Sequence, residues 1–326
     1  MERKDLRIVF MGTPEFAVET LKALLEGGCQ VVAVVTQPDK PVGRHGSVLQ
    51  PSEVKKYAME KGIPVLQPEK MKDPEFVEKL RAFNADLQVV VAFRMLPEVV
   101  WAMPRYGTFN VHAALLPQYR GAAPINWAVI NGETMTGVTT FFLDHDIDTG
   151  KVILKKTFPI PDDADVEYVY DGLMHLGAQA AMETIDRICQ GDGQVEAIEQ
   201  QELMEGEELR PAPKIFKDTC KIQWSQPAKR IYDFIRGLSP YPGAWASMEN
   251  IVSGDITVVK IFKTTKCPGK TTQLSPGTIV VEKGKLFAAT ADELLQIESM
   301  QVAGKKRMDA VSFLNGMRGI ENYRFV

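Results

Sequence analysis

The chain opens as strand, turn, helix, stop, strand, and that order leaves few architectures open. Leu6-Arg7-Ile8-Val9-Phe10-Met11 is a short apolar run suited to a strand buried in a parallel sheet. Gly12-Thr13-Pro14 turns it, with Thr13 placed to cap a helix and Pro14 at the first helical position. Phe16, Ala17, Leu21, Leu24 and Leu25 then fall on one helical face, Gly27-Gly28 stops the helix, and Val31 to Val35 is the next strand. This β-α-β unit builds doubly wound parallel sheets, so the expected fold class is α/β. A nicotinamide site is poorly supported, because Gly12 is not followed by the Gly-x-x-Gly that lets backbone approach a pyrophosphate.

Further elements follow the same logic. Ser52 to Lys61 reads as a helix, Asp86 to Phe93 as another buried strand, Lys151 to Ile160 as an extended element, and Val166 to Gly191 as a helix burying Val169, Leu173, Leu176, Ala180 and Ile185. His175, inside that helix, reads as packing. Between them Thr36 to Pro51 is too long and too rich in Pro and Gly for an ordinary connection; such loops are commonly functional, the alternative being a mobile surface insertion.

Phe109 to Pro124 carries the densest chemistry. A strand over Thr108 to His112 puts Asn110 and His112 on one face, since side chains two apart share a side. Leu115-Leu116-Pro117 ends it in an apolar turn, Arg120-Gly121 opens a second loop, and Pro124 starts a helix through Trp127 and Val129. A second strand, Gly137 to Asp144, runs into His145-Asp146-Ile147-Asp148-Thr149-Gly150, from which a carboxylate can reach His112. Amide, imidazole and carboxylate together are what acyl transfer to an amine needs: an oxyanion donor, an acid for the leaving nitrogen, and a charge to hold the imidazolium. Spacing alone does not establish this, since a His at a strand end is usually structural and an Asn near a turn usually bonds its own backbone. Asp144, Asp146 and Asp148 also alternate like calcium ligands, but an EF-hand loop would need Gly and Glu where Thr149 and Lys155 stand.

Composition bounds the rest. A chain of 326 residues, 45% hydrophobic and 25% charged, is long enough for two domains. No apolar run approaches a bilayer span, and Met1-Glu2-Arg3-Lys4-Asp5 leads into a strand rather than a signal-peptide core, so a cytoplasmic protein without membrane contact is expected. Cys29, Cys189, Cys220 and Cys267 are scattered without a Cys-x-x-Cys pair and read as reduced and structural. Net charge is −4, yet residues 208 to 326 hold 18 Lys+Arg against 11 Asp+Glu, a net of +7, and residues 1 to 207 a net of −11. Such asymmetry points either to a nucleic-acid-binding appendage or to a solvated basic surface.

The segment from Glu196 to Glu208 is acidic and polar, and Arg210-Pro211-Ala212-Pro213-Lys214 reads as a stiff linker. The expected domains are therefore 1–195, a linker 196–213, and 214–326. The last opens with Lys221 to Ser225, an exit from strand into a cap for a helix over Ala228 to Gly237. Short alternating segments follow at Thr257 to Lys263, Gly277 to Glu282, Leu286 to Ala289 and Leu294 to Met300. Several short strands with turns between them suit a small OB-like β-barrel, a common nucleic-acid scaffold.

Asn-x-His-x-x-Leu-Leu-Pro-x-x-Arg-Gly followed by Asp-x-Gly resembles the active-site signature of folate-dependent formyltransferases, and Asn110, His112 and Asp148 match its three catalytic positions. Gln37-Pro38-Asp39-Lys40-Pro41-x-Gly43-Arg44, Lys221-x-x-Trp224-Ser225, Pro242-Gly243-Ala244 and Gln301 to Met308 resemble the branch of that family that acts on methionyl-initiator tRNA. The resemblance covers nearly the whole chain. It implies a Rossmann-like catalytic domain, 10-formyltetrahydrofolate as formyl donor, methionyl-initiator tRNA as acceptor for translation initiation, no metal and no obligatory protein partner. It also implies folate contacts along Phe93, Met95, Ala114, Leu115, Leu116, Pro117 and Asp144, and a tRNA contact at Arg44. The charge of the basic half adds Arg210, Lys214, Lys217, Lys221 and Lys305-Lys306-Arg307 as candidates for phosphate contact, Lys214 and Lys217 foremost because they sit by the linker. Three departures stand out: Ala114 where Ser is common, Phe93-Arg94 where Tyr-Gly is common, and His45-Gly46-Ser47-Val48 where lysines are usual. A formyltransferase for a small amine would share the trio without needing a basic barrel. An RNA-binding module with a degenerate enzyme domain would not need the trio.

Overall fold

The computed structural model describes residues 1–326 and resolves them into two compact units: Met1–Gly121, Met135–Pro159 and Tyr170–Pro211 in the first; Ala122–Thr134, Ile160–Val169 and Ala212–Val326 in the second. In chain order the elements are β1 (Arg7–Gly12), α1 (Glu15–Glu26), β2 (Gln30–Val35), β3 (Lys40–Val42), β4 (Val48–Gln50), α2 (Glu53–Glu60), β5 (Val65–Leu66), α3 (Pro74–Ala82), β6 (Leu87–Val91), α4 (Glu98–Trp101), β7 (Thr108–His112), α5 (Pro124–Ile130), β8 (Met135–Phe142), β9 (Val152–Pro159) and α6 (Val166–Gln190). After them come α7 (Ala228–Arg236), β10 (Ala244–Asn250), β11 (Ile256–Thr271), β12 (Ile279–Glu282), β13 (Lys285–Ala289), β14 (Glu293–Val302), β15 (Met308–Asp309), α8 (Ala310–Gly316) and β16 (Tyr323–Phe325).

The first unit is a seven-stranded sheet in the order β5-β2-β1-β6-β7-β8-β9. The five strands from β5 to β7 are parallel, and β8 and β9 return antiparallel. The chain leaves β1 toward β2 on one side and later places β6 on the other. That is the topological switch of an open α/β sheet, where ligands gather beyond the strand carboxyl ends. Both faces are covered. Val9, Met11, Ala33, Val35, Phe76, Leu80 and Val90 pack into one cluster, while Ile8, Phe10, Leu21, Leu24, Phe109, Leu173 and Ile185 are also fully buried. Each such side chain is worth roughly 1.5–3 kcal/mol. Gly12 serves this packing rather than a phosphate: a Cβ there would stand 2.6 Å from Ala17 Cβ and 2.9 Å from the Val91 carbonyl oxygen.

Several local expectations shift. The N-cap of α1 is Pro14, not Thr13, whose hydroxyl instead accepts the Gln37 N–H. Residues 36–51 are not a loop throughout; they form the hairpin β3–β4, joined by a turn at Arg44–Gly46 and exposed along its length. His175 is not packing: it is exposed and pairs with Glu19 at 3.3 Å. By contact the segment 196–211 belongs with the first unit, where Ile198 bridges Val152 and Gln200 is 2% exposed.

The second unit is a curled antiparallel sheet, β12-β13-β14-β11-β10-β16, with β15 on β14. Its curl brings the edges together where Thr278 bridges Arg324 and the Phe325 N–H donates to the Gly277 carbonyl at 2.8 Å, giving the barrel-like form expected. Ile231, Ile235, Met248, Ile261, Leu286, Leu295, Ile297 and Phe325 fill it. The strand expected to open this unit, from Lys221 to Ser225, makes only one bridge, Lys221 to Trp245. The cap of α7 is not Ser225 but Pro227, with the Ala228 N–H taken by Asp292 Oδ1 at 2.8 Å from far along the chain. β11 runs on to Thr271, well past the expected end at Lys263, and β10 follows a turn whose prolines hid its strand character.

Candidate active site

β7 ends where the site begins. Its pairing with parallel β6 and antiparallel β8 places Val90 and Phe141 beside Asn110, and Thr139 beside His112. Asn110 and His112 therefore share a face, as the alternation requires. His112 is 7% exposed, and its Nε2 lies 2.8 Å from the Tyr119 carbonyl oxygen. A carbonyl only accepts, so Nε2 carries a proton and Nδ1 is the nitrogen free to gain or lose one. Facing Nδ1 at 3.7 Å is Asp148 Oδ2, a charge contact too long for a hydrogen bond. Phe141 stands edge-on to the ring, its centroid 6.4 Å away.

Asn110 supplies a different signal. Its Oδ1 is shielded from solvent and has no hydrogen-bond partner. Leaving a buried acceptor unpaired costs about 1–3 kcal/mol. A half-turn of the amide exchanges Oδ1 for Nδ2, the donor that a developing oxyanion needs.

Two loops meet at the Asp148 carboxylate. The Gly121 N–H donates to Asp148 Oδ2 at 3.0 Å. Tyr119 and Asp148 both adopt left-handed backbone, with φ of 60° and 58°. Non-glycine residues hold such angles only where the surroundings enforce them, at about 1–3 kcal/mol each. The Tyr119 N–H donates to the Arg210 carbonyl at 2.7 Å, and the Asp148 carbonyl accepts from Gln200 Nε2 at 2.8 Å. The glycine of Asp148-Thr149-Gly150 is sterically required, because a Cβ at Gly150 would overlap the Phe142 carbonyl oxygen.

The turn after β7 is anchored by Thr139, which motif reading missed. Its buried hydroxyl donates to the Ala114 carbonyl at 2.6 Å and accepts the Leu116 N–H at 3.0 Å. Ala114 and Leu116 are fully buried, Leu116 in a cluster with Phe141 and Val152, and Pro117 is buried too; Leu115 is half-buried. Beyond β6, Phe93 is half-buried and Met95 is 68% exposed. Arg94 turns away to the Pro68 and Glu69 carbonyls, and burial lowers its pKa. Asp144 folds into its own loop, accepting from Thr149 Oγ1 at 2.7 Å and the Asp146 N–H at 3.1 Å. It thus points to loop architecture, and no group of three or more His, Cys, Asp or Glu is placed to hold a metal ion.

Gln200 is the other residue not foreseen; it lies in the stretch read as connector, donates to the Asp148 loop and accepts from Arg120 of the other site loop. A buried amide in an otherwise exposed polar run leaves no periodic signal. Of the basic candidates, Arg44 is exposed at the tip of the β3–β4 hairpin. In the second unit Lys214 and Lys217 are exposed, Lys214 Nζ lies 5.5 Å over the Phe216 ring, and the Lys217 carbonyl accepts from Trp245 Nε1 at 2.7 Å. Lys221 stands over Trp245 and Arg307 over Phe262, so this unit carries several cation–aromatic pairs.

The chain belongs to the formyl transferase family: the family model of that description matches residues 6–185, and that of the family's C-terminal domain matches residues 214–318. The methionyl-tRNA formyltransferase of Parabacteroides distasonis is 59% identical over 325 residues, covering 99% of each chain. Among solved structures, the N-formyltransferase of Helicobacter canadensis, in complex with folinic acid and dTDP-3-aminofucose, superposes with a TM-score of 0.63 at 19% identity over 93% of this chain and all of that one. HypX from Aquifex aeolicus, in complex with tetrahydrofolic acid, gives 0.62 at 19% identity over 95% of this chain and 47% of that one.

Proposed function

We propose that this enzyme transfers the formyl group of 10-formyltetrahydrofolate to the α-amino group of methionine on initiator tRNA, the step that prepares the charged tRNA for translation initiation in the cytoplasm. The observation that carries the chemistry is His112 held between the Tyr119 carbonyl and Asp148, on the same strand face as Asn110, whose buried Oδ1 has no partner. Near-identity in length and 59% sequence identity to a methionyl-tRNA formyltransferase support the choice of acceptor.

With its amide turned so that Nδ2 takes the place of the unpartnered Oδ1, Asn110 fits a carbonyl-bearing donor, and the chain at Phe93 and Met95, the turn Ala114-Leu115-Leu116-Pro117 and the backbone of the Asp144 loop would hold the rest of the folate. Bound there, the donor supplies an electrophilic formyl carbon and a nitrogen able to leave. Asn110 donates to the oxygen on which charge develops as the methionine amine attacks. His112 keeps one proton at Nε2 against Tyr119 and delivers the other from Nδ1 to the departing nitrogen. Asp148 favours the imidazolium by opposite charge and relays the proton shed by the amine through water. The half-buried setting strengthens each of these interactions relative to water. For the acceptor, Arg44 of the first unit and Lys214 and Lys217 of the second contact phosphate.

The test is formylation by the purified protein with 10-formyltetrahydrofolate and one of four acceptors: charged initiator tRNA, charged elongator tRNA, an amino-sugar nucleotide, or a glycinamide nucleotide. Turnover confined to the charged initiator tRNA is expected. Faster turnover of a small amine would reassign the acceptor and leave the catalytic trio standing.

A further inference from the structure

The stretch between the two matched family regions carries the most fully bonded side chain at the site. Gln200 is 2% exposed, and all four hydrogen-bonding positions of its amide are taken. Nε2 donates to the carbonyls of Asp148 and Gly150, both at 2.8 Å. Oε1 accepts from Arg120 Nε at 3.0 Å and Nη2 at 2.8 Å. Ile198 delivers it there through a reciprocal pair of backbone bonds with Val152, at 2.8 and 2.9 Å.

The targets are what give this amide its meaning. Two of them are the carbonyls of Asp148 itself and of Gly150, so Gln200 grips the aspartate loop by its backbone. The third is Arg120, the residue preceding Gly121, whose N–H holds the Asp148 carboxylate. One side chain thus spans the loop that bears the carboxylate and the loop that bears the carboxylate's donor. Asp148 also sits at a φ of 58°, which it abandons unless its peptide groups are restrained.

We propose that Gln200 is a positioning residue for the reaction, setting where the Asp148 carboxylate stands opposite His112 Nδ1. This rests on the reading of Asp148 as the partner of His112. Gln200 touches no reacting atom. Its role is to fix the loop whose displacement by about 1 Å would cost on the order of a hundredfold in rate.

The variant that separates this role from general packing is Gln200→Glu. It keeps the shape and the acceptor for Arg120, and it replaces both donors with lone pairs facing two carbonyls. Formylation is measured for the full-length wild type, Gln200→Glu, Asp148→Asn and the double variant, with thermal unfolding of each. Gln200→Glu should lower kcat about tenfold to a hundredfold. KM for both substrates should stay within about twofold, and in the Asp148→Asn background the same change should lower kcat by less than about twofold. Gln200→Met, which fills the volume without polar atoms, should give the same pattern and carries the cycle if Gln200→Glu does not fold. A normal kcat in folded Gln200→Glu, or an equal loss in both backgrounds, overturns the proposal and assigns Gln200 to stability alone. Normal turnover by Asp148→Asn would remove the reading beneath it as well, a result distinct from slow Asp148→Asn beside normal Gln200→Glu.

Discussion

Within this site each side chain is defined by what its neighbours leave it free to do. Tyr119 takes one nitrogen of His112, Asp148 faces the other, and the Asn110 acceptor is buried with nothing to bond. His112→Ala and Asp148→Asn should each reduce kcat by about a hundredfold or more, with tRNA affinity little changed in filter binding. Near-normal turnover in either would take that residue out of the mechanism. Thr139 has a structural part instead. Thr139→Val strands the Leu116 N–H and an Ala114 lone pair in a fully buried place, so the protein should lose about 1–3 kcal/mol, read as a lower denaturation midpoint at unchanged slope.

Elements take their ends from groups distant in sequence. The loop from β8 back to β9 closes only because Gly150 has no side chain; Gly150→Ala should cost about 3 kcal/mol or more and carry Asp148 away with the loop. Unfolding and formylation rate should fall together, whereas Asp148→Asn should lower the rate alone. In α7 the first free N–H is capped by Asp292, whose carboxylate is held below its ordinary value of 3.8 chiefly by that bond to Ala228, then by Thr290 and the Glu293 N–H. Asp292→Ala should cost about 1 kcal/mol near neutrality. A depressed carboxylate stabilises the fold above its unfolded value and loses that contribution as pH falls through the folded one. The stability gap between wild type and Asp292→Ala should therefore be intact at pH 6 and shrink below about pH 4. A gap independent of pH would mean the cap does not act through its charge.

For the molecule as a whole the sign of charge changes along the chain, from a net of −11 over the first 207 residues to +7 over the rest. If the basic part contacts phosphate, log affinity for tRNA should fall steeply with log salt, and Lys214→Ala or Lys217→Ala should each reduce the slope by about one. kcat at saturating tRNA should not change, since neither lysine touches the reacting groups. A flat salt dependence would assign the positive charge to solubility.

Much of this was readable before any coordinates. The apolar runs at 6–11 and 87–91, the alternation that faces Asn110 with His112, the β-branched strand leading to Asp148 and the short strands between residues 257 and 300 are local patterns, and local patterns follow from side-chain periodicity alone. The family signature is legible for another reason: it is a resemblance carried by residues contiguous along the chain, not a consequence of periodicity. Tertiary structure decided the rest. That Nδ1 rather than Nε2 of His112 is left facing Asp148 depends on the Tyr119 carbonyl, the cap of α7 comes from Asp292, and the hydrogen bonds on the Asp148 loop come from Gln200 in a run that reads as connector. Each is one polar group meeting another far along the chain. Such a meeting has no period, no composition and no spacing, and it exists only once the hydrophobic core has brought the two segments together.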